Sequence, residues 1–261
     1  IVHQYENTAT NKFRKRKHVM EYGYYSDQKL PKSVAVDRKP IADYKTNSHG
    51  YRCREFSPLP KGKKNVVVLG CSHTFGEGLE DDQHWVHFLS QHNTDTLRYW
   101  NLGQPGASAD KLVRILYGAE KVLFPNIIIV CWPFWSRRER LASYAQSLMS
   151  YDELLKNENE ITDKHNLLKN VFFVEKFAEN NNAHTYHCFA QEVYDIPGVN
   201  NVFSDTSIKH CWPPYDNHNL PEAEKTIITE PSLARDGVHY GVEHHERFAK
   251  LFLGRFAKKL R

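Results

Sequence analysis

Between residues 64 and 190 the chain alternates two hydrophobic patterns. Short runs are apolar throughout, and longer stretches carry apolar residues every three or four positions. The run Val66-Val67-Val68-Leu69 predicts a buried strand. Leu97 to Leu102 predicts a second, Asn126 to Trp132 a third and the most apolar, and Thr185 to Phe189 a fourth. The helical period predicts a helix over 82–92 with Trp85, Phe88 and Leu89 inward and Asp81 or Asp82 as its cap. It predicts another with Leu112, Val113, Leu116 and Ala119 on one face, and a third from beyond Pro133 to about Met149. Ile161 to Asn180 reads as a long helix with Leu167, Leu168, Val171, Phe172 and Phe177 inward. An amphipathic helix over 242–260 carries Phe248, Leu251, Phe252 and Phe256. Residues 152–160 read as a polar surface loop and 191–235 as irregular, with several prolines. Strands that are apolar on both faces, alternating with helices, predict an α/β fold with a parallel sheet covered by helices on either side.

Residues 1 to about 60 have a different character: rich in Tyr, Lys, Arg and Asn, without sustained periodicity. They are expected to form an N-terminal extension packed on or wrapping the main domain of residues 61–261, with Pro58, Pro60 and Gly62 at the boundary. The basic run from Lys12 to His18 is read as a solvated face rather than a nucleic-acid site, and a net charge of +4 does not argue for nucleic acid. No apolar run is long enough to span a bilayer, so neither a membrane nor a nucleic-acid partner is expected. Five scattered cysteines, Cys53, Cys71, Cys131, Cys188 and Cys211, form no C-x-x-C pair. They suit reduced thiols, as in a cytoplasmic or virion-associated protein. The chain begins at Ile1, which leaves open whether a signal peptide preceded it.

The candidate chemistry starts where the first strand breaks, at Gly70-Cys71-Ser72-His73-Thr74-Phe75-Gly76-Glu77-Gly78. Gly residues let the chain turn sharply and place Ser72 at the strand's carboxyl end, the edge where open α/β sheets bind ligands. A serine there is a nucleophile if a base reaches it, and an ordinary turn residue if none does. The base could come from Asp236-Gly237-Val238-His239, just before the last helix. At that spacing the carboxylate can hold one imidazole nitrogen and leave the other to take a proton from Ser72. Asp236, His239 and His244 could also be read as metal ligands, but their spacing fits no standard zinc motif, so no metal and no cofactor is expected.

Taken together, the Gly70–Gly78 block, the Asn101-Leu102-Gly103-Gln104-Pro105-Gly106 turn and the Asp236/His239 pair resemble the blocks of the SGNH, or GDSL-like, hydrolases. The lead-in Thr46-Asn47-Ser48-His49-Gly50-Tyr51-Arg52 is similar to one found before the first block in bacterial and phage members. The resemblance spans roughly residues 46–261. It implies a flavodoxin-like three-layer α/β/α sandwich, and hydrolysis of a carboxylic ester through an acyl-Ser72 intermediate. The substrate it implies is a small-molecule or glycan ester, such as an O-acetylated carbohydrate. On this analogy Ser72 is the nucleophile, His239 the base and Asp236 its orienter. The oxyanion is held by the backbone N–H groups of Ser72 and Gly106, with Gly103 as the alternative to Gly106. Trp132, Trp135, Arg137 and Arg138 are candidate substrate contacts.

Two departures stand out. Cys71 replaces the usual Asp before the serine and is expected to point into the sheet. Pro133-Phe134-Trp135-Ser136 stands where the family's oxyanion Asn should follow the third strand. A replacement donor must come from Trp132, Trp135, Ser136, Arg137 or Arg138. The missing Asn supports an alternative reading, a non-catalytic module of the same fold in a phage particle or a polysaccharide machine. The retained Ser72, Asp236 and His239 oppose it.

Overall fold

The computed structural model of the protein describes residues 44–135, 137, 160–190, 207–208, 232–237 and 239–260. Its elements are, in order, β1 (Lys64–Gly70), α1 (Ser72–Phe75), α2 (Trp85–Ser90), β2 (Leu97–Asn101), α3 (Ala109–Leu123), β3 (Ile127–Trp132), α4 (Glu160–Asn180), β4 (His184–Phe189), β5 (Ser207–Ile208) and α5 (Val242–Phe256). All strand pairs are parallel, in the order β2-β1-β3-β4-β5. That is the doubly wound, flavodoxin-like order, with its switch point between β1 and β3. Gly70, the last residue of β1, lies opposite Cys131 of β3, so the loops after both strands leave the same edge side by side.

Alternate strand residues feed two cores. On one face Val67, Leu69, Ile128, Val130 and Trp132 pack against α3 and α4 through Leu112, Leu116, Leu167, Val171 and Phe177. On the other, Val66, Val68, Ile127, Ile129 and Tyr186 meet α2 and α5 through Trp85, Leu89, Phe248, Phe252 and Phe256. The fold is therefore an α/β/α sandwich around a parallel sheet, as the strand–helix alternation predicts. A buried polar group ties the first core together. Asn65 Oδ1 accepts from Trp100 Nε1 at 2.8 Å, while its amide donates to the Leu123 carbonyl at the end of α3.

The structure corrects the sequence reading at several points. The helix predicted over 82–92 is only Trp85–Ser90, and its cap is His84, whose ring accepts from the His87 N–H at 3.1 Å. Asp81 is not the cap because its carboxylate is taken by Arg52 at 2.8 Å. Phe172 and Leu251 face solvent, 53% and 47% exposed. Each lies one residue off the stripe its helix buries, about 100° round the axis. Where an irregular segment is predicted, β5 extends the sheet beside β4. The predicted helix reaching Met149 and the loop before residue 160 lie outside the described residues, as does residue 211.

Candidate functional site

At the end of β1 the chain enters α1 directly. Gly76 closes this four-residue helix in the left-handed region, at φ +81°, and donates its N–H to the Ser72 carbonyl at 2.9 Å. Ser72 is the first helical residue, where the backbone N–H has no intrahelical acceptor. It is enclosed, at 4% exposure. Its position directly after β1 is the strand end that the sequence predicts. Cys71, its neighbour, is buried in the core with Leu69 and Trp132. Burial pushes its thiol up, with Cys131 adding and the Arg137 guanidinium opposing, so it is no candidate nucleophile.

The loop after α1 is held from beneath by the lead-in segment. Arg52, 4% exposed, donates to the carbonyls of Phe75, Gly76 and Leu79 at 3.2, 2.5 and 2.6 Å while pairing with Asp81. Its guanidinium lies 4.7 Å from the Tyr44 ring centroid, and the Tyr44 hydroxyl accepts from the Gly78 N–H at 2.6 Å. Burial raises the Tyr44 phenol to about 12, so it stays a neutral hydroxyl. Asn47 folds the lead-in back on itself, its Oδ1 accepting from the His49 and Tyr51 N–H groups at 3.0 Å each. The Thr46–Arg52 segment is therefore a clamp on the nucleophile loop, a role that sequence reasoning did not assign.

The Asp236/His239 turn docks on the same loop. Ala234 N–H donates to His239 O at 2.8 Å, and Arg235 N–H to Gly78 O at 3.2 Å. A Cβ on Gly78 would lie 2.7 Å from the Ala234 Cβ and 3.1 Å from the Asp236 Cγ, so the two segments touch where glycine leaves room. One Asp236 oxygen accepts from the His239 N–H at 3.0 Å, and the other lies 2.5 Å from His239 Nδ1. The His239 ring packs 5.2 Å from the ring of His73, the residue after Ser72. The sequence-predicted Ser72, Asp236 and His239 thus meet at one edge of the sheet. The expected Ser72–His239 hydrogen bond is not among those formed by the described residues. Instead His239 Nε2 faces Glu77 Oε2 at 3.5 Å. Sequence reasoning also missed Glu77, although it sits inside the first block between Gly76 and Gly78.

Burial also governs the surrounding imidazoles. His73 is held well below its ordinary value by burial, with His239, His245 and Arg137 adding and Asp236 opposing. His245 is likewise held well below by burial, with His84 the largest of the charges that add to it.

The 101–108 turn flanks α1. Asn101 Nδ2 donates to the Thr74 carbonyl at 2.9 Å, and its Oδ1 accepts from the Gly103 N–H at 3.0 Å. With its N–H committed, Gly103 drops out as an oxyanion donor. Gly106 is exposed, at φ +68°.

After β3, Trp132 is wholly buried, and its indole N–H donates to His187 Nδ1 at 2.9 Å. It therefore contacts no substrate and supplies no oxyanion donor, because β4 places His187 alongside it. Trp135 is half-buried against the first core, with Lys164 Nζ 5.7 Å from its ring centroid. Arg137 closes a turn by donating its N–H to the Phe134 carbonyl at 2.9 Å, and its guanidinium lies 5.7 Å from the Phe134 ring. Ser136 and Arg138 lie outside the described residues.

No family model and no curated protein matches the chain at a significant level. Solved structures do. TesA superposes with a TM-score of 0.51 over 75% of this chain and 99% of its own, at 14% identity. A member of the lipolytic protein G-D-S-L family from Veillonella parvula gives a TM-score of 0.45 at 13% identity, over 75% of this chain and 99% of its own. A GDSL-like lipase from Bacteroides thetaiotaomicron also gives 0.45 at 13% identity, over 78% and 92%. The five-stranded parallel sheet with helices on both faces, and the near-complete coverage of TesA, show that the chain has the α/β/α fold of TesA, which is the fold that its resemblance to the SGNH, or GDSL-like, hydrolases implies.

Proposed function

We propose that the protein is a serine ester hydrolase of the SGNH type that acts on a carboxylic ester, with O-acetylated carbohydrate as the favoured substrate class. The observation that carries this reading is the 2.5 Å contact between Asp236 Oδ2 and His239 Nδ1, on a turn docked against the loop that follows Ser72. Asp236 fixes the tautomer with the proton on Nδ1 and steadies the imidazolium when it forms. His239 turns its Nε2 from Glu77 to Ser72 as substrate enters, since such hydrogen bonds often tighten only in the complex.

In the reaction the Ser72 hydroxyl adds to the ester carbonyl while Nε2 takes its proton. The carbonyl π electrons move onto oxygen, where the N–H groups of Ser72 and Gly106 receive them. Collapse expels the alcohol, protonated by His239. Water, deprotonated by the same nitrogen, then releases the carboxylic acid and frees Ser72. The substrate class comes from the resemblance alone. Trp135, half-buried in the loop after β3, is the candidate aromatic contact for it.

The competing reading is a non-catalytic module of the same fold. It is favoured by the absent Asn and by the Glu77–His239 contact, which occupies the base nitrogen. Two measurements separate the readings: labelling by a fluorophosphonate probe, and turnover of acetylated sugars and short-chain chromogenic esters. The hydrolase reading expects both in the wild type and neither in Ser72→Ala. An unlabelled, inactive wild type would establish the alternative.

A further inference from the structure

We infer that Arg137 is the third oxyanion donor, a guanidinium in the place where the fold family's side-chain amide is missing. This rests on the hydrolase reading above. Three observations converge on it. The first is position: Arg137 lies in the loop after β3, and Cys131 of β3 pairs with Gly70 at the end of β1, so this loop and α1 emerge next to each other. The second is reach: the Arg137 charge acts on both Cys71 and His73, the two residues that flank Ser72. The third is an unused donor. Arg137 Nη1 is shielded from solvent and has no hydrogen-bond partner among the described residues. A buried, unpartnered guanidinium N–H is costly and calls for an acceptor, which a bound substrate's carbonyl oxygen would supply.

The charge of the site explains why the donor is a cation. Two enclosed carboxylates, Asp236 and Glu77, flank His239 at 2.5 and 3.5 Å. An oxyanion forming beside them meets like charge in a weakly screening environment. A neutral amide would donate one hydrogen bond; the guanidinium donates one and offsets the added negative charge. As Ser72 Oγ adds, the carbonyl oxygen gains a full charge facing Arg137. As the alcohol leaves, that charge returns to the carbonyl, so the interaction is strongest in the transition state.

The test compares wild type with Arg137→Ala, Arg137→Lys and Arg137→Asn on a neutral acetyl ester, after matched unfolding curves show that each variant folds. Arg137→Ala is expected to lose about 10²–10³-fold in kcat with little change in KM. Arg137→Lys and Arg137→Asn are expected to fall between, and added guanidinium ion to restore part of the Arg137→Ala activity. An unchanged kcat, or a loss confined to KM, overturns the assignment. Fluorophosphonate labelling of Ser72 separates the two levels. A labelled wild type with a fully active Arg137→Ala overturns the donor alone, and an unlabelled, inactive wild type overturns the hydrolase reading and this assignment with it.

Discussion

Glu77 Oε2 lies 3.5 Å from His239 Nε2, the nitrogen that would take the Ser72 proton. A carboxylate only accepts hydrogen bonds, so this contact suits Nε2 only when that nitrogen carries a hydrogen, while attack by Ser72 needs it bare. At 3.5 Å the contact is weak, worth about 1 kcal/mol of resting-state preference. Glu77→Gln, which keeps the shape and removes the charge, should therefore raise kcat/KM at neutral pH by about fivefold. Steady-state kinetics with a neutral ester checks this. A fall in kcat/KM would mean that Glu77 assists the base rather than occupying it.

Arg52 is a positioning residue in the same region, and its removal should be felt first in stability. Its guanidinium satisfies three carbonyls of the loop after α1 as well as Asp81. Hydrogen bonds to a charged group contribute about 1.5–3 kcal/mol each, and buried carbonyls left bare cost comparably. Arg52→Ala should lose about 3 kcal/mol or more in urea unfolding. Arg52→Lys should recover little of that, because a point-like ammonium does not reproduce the planar fork.

How legible the protein was in its sequence depended on how local each determinant is. The four strands could be read because Val66–Leu69 and Ile127–Trp132 are apolar on both faces, which is what a sheet covered on both sides requires. The Asp236–His239 contact could be read because both residues lie in one short block, whereas the Ser72–His239 hydrogen bond expected beside it is not formed among the described residues. Phe172 and Leu251 were misplaced because adjacent apolar residues blur a helical stripe, and only packing against the sheet decides which turns inward. Trp132 could end a strand as core or as site. What settles it is His187, 55 residues away, to which its indole N–H is bonded. Glu77 and Arg52 were invisible as functional residues because their partners, His239 and the 75–79 carbonyls, are distant in sequence and local pattern carries no trace of them.

Acid should destabilise the fold through its enclosed histidines. Burial lowers His84 to about 3, and holds His73 and His245 well below their ordinary value. Unfolded, each titrates near 6.5. Below about pH 6.5 the unfolded chain therefore binds protons that the native state refuses, and stability falls with pH until the native groups titrate, near pH 3 for His84. The slope is about 1.4 kcal/mol per pH unit for each histidine, and is absent above about pH 7. Urea unfolding at pH 7.5, 6 and 5 measures it. His84→Asn, which can still cap α2, should flatten the curve by one histidine's share.

Two glycines of one turn give a contrasting pair. A Cβ on Gly103 would fall 2.4 Å from the Phe75 backbone nitrogen and 2.7 Å from the Thr74 carbonyl carbon, both in α1. Backbone does not yield as a side chain tip does, so Gly103→Ala must push α1, and Ser72 with it, away from its seat. The expected cost is about 1–3 kcal/mol of stability, with a marked loss of kcat because a small displacement of the nucleophile is enough to spoil attack. Gly106 differs: a Cβ there meets nothing within 4 Å, and only its φ of +68° resists a side chain. Gly106→Ala should therefore cost about 1–2 kcal/mol in backbone strain. It keeps the N–H that the proposed mechanism uses, so kcat should survive. Measuring Tm and kcat for both variants separates position from donor. Equal losses of stability with loss of kcat only in Gly103→Ala would place the sensitivity in the seating of α1. Loss of kcat in Gly106→Ala with α1 undisturbed would instead show that the geometry of the Gly106 N–H is what the reaction depends on.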